Sequence, residues 1–130
     1  MRGLILFAHG ARDPRWAEPL QRLRERLARR IPGSAVEIAF LELMTPDLAG
    51  AAATLVAGGC TGISVVPIFL GQGGHVRRDL ATLVDALRTA HPDIDIRAAP
   101  AVGEDDGVLD ALAACCLQVL ERDTVATASP

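Results

Sequence analysis

The chain has 130 residues, which suits one compact domain and is too short for two. Half of them are hydrophobic, so a core can be buried without metal or disulfide staples. The formal net charge is -3 and every basic residue is arginine, which argues against a nucleic-acid partner and removes a lysine nucleophile or Schiff base from consideration.

Cys60, Cys115 and Cys116 make an odd count with no C-x-x-C spacing. Neither a disulfide framework nor a thiolate zinc site is expected, and all three read as small hydrophobes in a reducing cytoplasm. The apolar start is too short for a secretion signal and is broken by His9-Gly10-Ala11-Arg12-Asp13. No segment reaches the roughly 20 apolar residues that span a bilayer, so a cytoplasmic protein without a membrane partner is expected.

Residues 4–8 are continuously apolar, as a strand covered on both faces should be. Asp13-Pro14 reads as an N-cap followed by proline in the first turn. Trp16, Leu20, Leu23, Leu27 and Ile31 then recur at helical spacing, among arginines that suit a solvated face, and Pro32-Gly33 ends the helix. Residues 36–41 partly alternate and predict a less buried strand. Thr45-Pro46-Asp47 repeats the cap-and-proline signal before a helix that stops at Gly58-Gly59. Residues 63–70 form a second strongly apolar run; Pro67 within it belongs near the strand's end or at a bulge. Gly71-Gln72-Gly73-Gly74 leads to His75 and a helix from about Val76. Residues 94–98 alternate like an edge strand. Glu104-Asp105-Asp106 places negative charge at a helix start, and Val108, Leu109, Leu112, Cys116 and Val119 form its apolar face. Cys115 and Cys116 lie about 100° apart around that helix, so one of them should meet the core. A single domain over 1–120 is expected, with a polar, flexible tail over 121–130.

Four strand–helix alternations predict an α/β domain with a parallel sheet and helices on both faces. Two buried and two edge-like strands, joined by right-handed crossovers, favour the order 2-1-3-4. The winding then reverses between strands one and three, and ligands of open parallel sheets sit beyond the carboxyl ends at such a point. His9 follows strand one, His75 follows strand three, and Glu42 ends strand two. Two imidazoles and a carboxylate on one rim suit a divalent metal ion or proton transfer. His91, at a helix C-terminus, reads as structural. Arg12, Arg77 and Arg78 either face water or offer planar forks to carboxylates at the mouth of a cleft. The glycine cluster matches neither the P-loop nor G-x-G-x-x-G, so a nucleotide site is disfavoured.

The segments Leu4-Ile5-Leu6-Phe7-Ala8-His9-Gly10-Ala11-Arg12-Asp13 and Pro67-Ile68-Phe69-Leu70-Gly71-Gln72-Gly73-Gly74-His75-Val76-Arg77-Arg78-Asp79 resemble the two histidine signatures of the small CbiX-type sirohydrochlorin chelatases. Glu42, in Phe40-Leu41-Glu42-Leu43, fits the acidic position between them, and the resemblance runs from Met1 to about Leu120. It implies a class II chelatase fold and ATP-independent insertion of Co2+ or Fe2+ into sirohydrochlorin, towards cobalamin or sirohaem. On that reading His9 and His75 hold the metal, and Glu42 accepts protons. Arg12, Arg77, Arg78, Gly73 and Gly74 bind the substrate. No cofactor is permanently bound, and Co2+, Fe2+ or Ni2+ is a substrate. Longer members carry two such halves, so this single half implies a homodimer with facing clefts. Two rival readings use the same residues: a metal-dependent hydrolase with a two-histidine, one-carboxylate site, and a non-enzymatic metal or tetrapyrrole carrier. A histidine phosphatase is disfavoured because Ala8 stands where its arginine would be, and a flavodoxin-like signalling domain because His9-Gly10 replaces its acidic cluster.

Overall fold

A computed structural model of the chain describes residues 1–128. Its elements are β1 (Arg2–Ala8), α1 (Glu18–Arg30), β2 (Ala35–Phe40), α2 (Leu48–Ala57), β3 (Gly62–Pro67), α3 (Gly74–Ala90), β4 (Asp95–Ala98) and α4 (Asp106–Ala128). The four strands form one parallel sheet in the order β2-β1-β3-β4, as the alternation of patterns predicts. Phe7 stands opposite Ala39 on one side and Pro67 on the other. Pro67 is the last residue of β3, where a missing N–H costs the ladder least.

The sheet separates two cores. On one face Ile5, Phe7, Ile63, Val65 and Ile96 pack against Ala51, Ala52 and Leu55 of α2 and Leu80, Val84 and Leu87 of α3. On the other, Leu6, Ala8, Ile38 and Phe40 meet Leu20 of α1, with Leu23 and Leu27 packed beside them. Asp47 caps α2 by accepting from the Gly50 N–H, and Asp105 caps α4 by accepting from the Val108 N–H. Pro46 therefore precedes the α2 cap rather than sitting in the first turn, and the Thr45–Pro46 bond is cis. Asp13 caps a 3-10 turn, Pro14–Ala17, that leads into α1. Trp16 lies in that turn and Ile31 lies past the helix end, so both stay exposed although their spacing predicts the apolar face.

Three further expectations are corrected. Ile63 and Val65 of β3 are buried, but Ser64 and Val66 are only half-buried, so among the described residues this half of the second face is less fully covered. The missing cover is α4, which packs within the chain chiefly against the turn Val102–Glu104. Its apolar residues Leu109, Leu112 and Val119 are exposed, and so are both Cys115 and Cys116. The backbone also stays helical through Ala128, where composition predicts a tail; positions 129 and 130 of that expected tail lie outside the described residues. No helix among the described residues is long and apolar enough to cross a membrane.

Arg2 ties the lower edge of the uncovered half-face together. Its Nε donates to Ser64 Oγ at 2.8 Å and its Nη1 to Asp95 Oδ2 at 2.8 Å, while Arg97 pairs with the same Asp95 oxygen at 3.0 Å. The hydrogen bond from Arg2, and then that from Arg97, holds the Asp95 carboxyl below the ordinary carboxylate range.

The unfolded chain therefore takes up the Asp95 proton at a higher pH than the folded chain does. This contribution to stability is complete above about pH 4 and is lost as pH falls through the lower folded value. Asp95→Asn should flatten that acid limb, as read from urea midpoints between about pH 3 and pH 7. Phe7, fully buried in the core shared with α2 and α3, should cost about 3–5 kcal/mol when replaced by alanine, measured by urea denaturation at neutral pH.

Candidate metal and tetrapyrrole site

The carboxyl end of β1 is built into the end of β2 by backbone hydrogen bonds. Leu41 N–H donates to Ala8 O at 2.8 Å, and Glu42 N–H donates to His9 O at 3.0 Å. Gly10 follows in the left-handed region, with φ +92°, directly beneath the Glu42 carbonyl. A side chain there would meet that oxygen, so only glycine lets the two strand ends approach this closely. The chain then turns sharply. Met44 N–H donates to Glu42 O at 2.8 Å across Leu43, which holds φ +66°. This three-residue turn is strained for a non-glycine residue, and such strain concentrates at ligand-binding sites. Glu42 is thereby fixed beside His9 at the rim and left exposed to solvent.

Beyond Pro67 the pairing of β3 with β1 continues, because Ile68 N–H donates to Phe7 O at 2.7 Å. The next residue, Phe69, is buried and lies edge-on to Phe7, with ring centroids 6.1 Å apart. The His9 ring lies over Phe69 at 4.3 Å and 33°. Phe69 is the residue that pattern reading misses as a functional contact. Its place in an apolar run marks it as core, and nothing local shows that it also supports an imidazole. Gly103 N–H donates to Phe69 O at 2.9 Å, and Gly103 lies so close to Leu70 that any side chain would collide with that backbone.

His75 is the second residue of α3, at the same carboxyl edge of the sheet. Its side chain is 85% exposed, with Nε2 3.8 Å from Asp79 Oδ2 one helical turn on. Arg77 reaches Glu104 at 3.5 Å, and Arg12 and Arg78 are exposed. Gly73 and Gly74 adopt no left-handed conformation and have open space beside them, so the fold alone does not require glycine at either.

His9, Glu42 and the segment leading to His75 therefore meet at one rim. Among the described residues, no three His, Cys, Asp or Glu side chains stand together as a metal-binding group. Clefts near this edge are lined by other residues. One of about 300 Å³ lies between Ala8, Trp16, Leu20 and Ile68, and one of about 350 Å³ lies between Gln72, Arg77, Leu80 and Ala101. The three candidate residues thus border an open shelf rather than an enclosed cavity. Gly10→Ala should destabilise the fold by about 1–3 kcal/mol and displace the Glu42 turn. Thermal denaturation checks the first effect, and the amide resonances of Leu41 and Glu42 report the second.

The chain matches the CbiX family over residues 3–118. A sirohydrochlorin cobaltochelatase of Saccharolobus solfataricus is 32% identical over 118 residues, covering 86% of this chain and 91% of that protein. Among solved structures, a CbiX protein of Marinobacter aquaeolei assigned to cobalamin biosynthesis superposes with a TM-score of 0.83 at 31% identity, over 94% of this chain and 99% of that one. The sirohydrochlorin chelatase SirB of Bacillus subtilis subspecies spizizenii, in complex with cobalt, gives a TM-score of 0.74 at 25% identity, over 85% of this chain but only 47% of its own. With both histidine segments and all of the sheet but Arg2 inside the matched region, this chain belongs to the CbiX family.

Proposed function

We propose that this chain inserts a divalent metal ion, Co2+ or Fe2+, into sirohydrochlorin without ATP, in the cytoplasm and on the way to cobalamin or sirohaem. The observation that carries the reading is the joining of His9 and Glu42 at the carboxyl rim that His75 also borders, within a CbiX chain. Metallation of the macrocycle removes two pyrrole N–H protons as the ion loses water and enters. Imidazole binds first-row ions without the tenacity of thiolate, which suits a metal that must be passed on. His9 and His75 hold the incoming ion, and Glu42 accepts protons. Arg12, Arg77 and Arg78 offer forks to the substrate's peripheral carboxylates. The open space beside Gly73 and Gly74 lets the macrocycle edge approach backbone there.

The hydrolase reading is not favoured. A resident catalytic ion needs about three protein ligands, and the described residues bring no such trio together. A solvent-exposed site fits an ion in transit better. The open shelf also favours a homodimer, because one copy leaves a flat macrocycle uncovered on its outer side.

Following the absorption spectrum of sirohydrochlorin with Co2+, Fe2+ or Ni2+ tests the proposal. The wild-type chain should accelerate insertion over the spontaneous reaction. Glu42→Gln should slow it by about 10²–10⁴, the usual worth of a positioned proton acceptor. The His9→Ala, His75→Ala double variant should fall to the spontaneous rate with its fold intact by circular dichroism. Insertion by that double variant at the wild-type rate would sink the site assignment. A binding spectrum with no acceleration in the wild type would make the protein a carrier.

A further inference from the structure

Positive charge is unevenly placed in this chain. Residues 12–30 hold seven of the thirteen arginines but only three of the sixteen acidic residues, so a stretch of formal charge +4 sits in a chain of net charge -3. The stretch begins at the carboxyl rim, because β1 ends there at Ala8 and the turn Pro14–Ala17 leads into α1, which runs back along the sheet. Two clefts follow it. The cleft of about 300 Å³ beside Ala8 and Ile68 is floored by Trp16 and edged by Arg15. A second, of about 320 Å³, lies between Pro19, Arg22, Leu23 and Arg26. Pro19 lines both, so they form one track from the rim at Ala8 along α1. Its floor is apolar and its edges are cationic. Arg15 is paired with Asp13 at 2.7 Å, whereas the exposed side chains of Arg22 and Arg26 make no hydrogen bond or ion pair among the described residues.

We infer that this track captures the substrate: Arg22 and Arg26 draw the carboxylate-edged macrocycle onto α1, and it passes from there to the rim. The inference rests on the function proposed above and concerns the rate of arrival, not the final contacts. The substrate is a polyanion, and the net charge of the chain as a whole repels it. A local cationic patch reverses that repulsion within a screening length, about 8 Å at physiological salt. With a rise of about 1.5 Å per residue, Arg22 stands about 6 Å and Arg26 about 12 Å along α1 from its start at Glu18. Arg29 and Arg30 stand about 17 Å along, roughly two screening lengths from the rim. Spacing of i,i+4 puts Arg22 and Arg26 on one face, where their planar forks can take successive carboxylates. A flat apolar floor with charge only along its edge is the complement of a macrocycle whose carboxylates stand at its periphery.

Trp16 is the single tryptophan of a chain without tyrosine, and it is 50% exposed in the track, so its fluorescence reports arrival of the macrocycle. Stopped-flow mixing of the full-length protein with metal-free sirohydrochlorin should give an association rate that falls about 10-fold or more between about 20 mM and 500 mM salt. The Arg22→Gln, Arg26→Gln double variant should lower the low-salt rate about 10-fold and flatten its salt dependence. Its dissociation rate, its kcat for insertion at saturating substrate and its circular dichroism should match the wild type. At about 150 mM salt that pair should still lower association about 3-fold, whereas Arg29→Gln with Arg30→Gln, an equal loss of charge, should change it less than about 2-fold. Association indifferent to Arg22→Gln with Arg26→Gln, or lowered equally by the two pairs, would overturn the track and leave the proposed function standing. A loss of kcat with association unchanged would overturn it as well. Wild-type protein that does not bind sirohydrochlorin would overturn both, and binding steered as described but without accelerated insertion would leave the track and overturn the function.

Discussion

One backbone hydrogen bond organises the candidate functional edge of this protein: Ile68 N–H to Phe7 O at 2.7 Å. It carries the β1–β3 pairing past Pro67, where the ladder would otherwise end, and so delivers Phe69 beneath the His9 ring. Without it the loop to His75 would leave the sheet two residues earlier. The imidazole would then have no aromatic floor, and the rim would lose the link between its two histidine segments. The Gly10 contact with Glu42 does the same for the other side, where close approach of two strand ends fixes the carboxylate. The site is thus a consequence of strand register more than of side-chain networks.

That origin explains why the site is open. Backbone hydrogen bonds beyond the strand ends hold His9, Glu42 and Phe69, while the His75 side chain is left 85% exposed. A shelf of this kind cannot retain an ion as a closed tetrahedral site does, and it leaves a planar ligand exposed on one side. Both properties suit metal delivery to a macrocycle.

The family match and the geometry bear on different things. Membership in the CbiX family follows from residues 3–118 and from superposition with related structures. The roles of His9, His75 and Glu42 rest instead on where the strands end and on what each side chain can do chemically. Strain at Leu43, one residue after Glu42, is an independent sign that this turn is held for a purpose other than folding.

Sequence alone determined the strand order and the placement of His9, Glu42 and His75 at one edge. Apolar runs, caps and glycine stops mark element boundaries locally, and right-handed crossovers leave few topologies. The cap at Asp13 was legible for the same reason, since it acts within two residues of itself. Only the tertiary structure decided that Phe69 supports His9, that Gly103 abuts Leu70, and that β3 is only half-buried on one side. It also decided that α4 lies off the sheet, with Cys115 and Cys116 exposed. Periodicity states that a face is apolar but not what covers it, because the covering surface comes from residues distant in the chain or from another chain altogether.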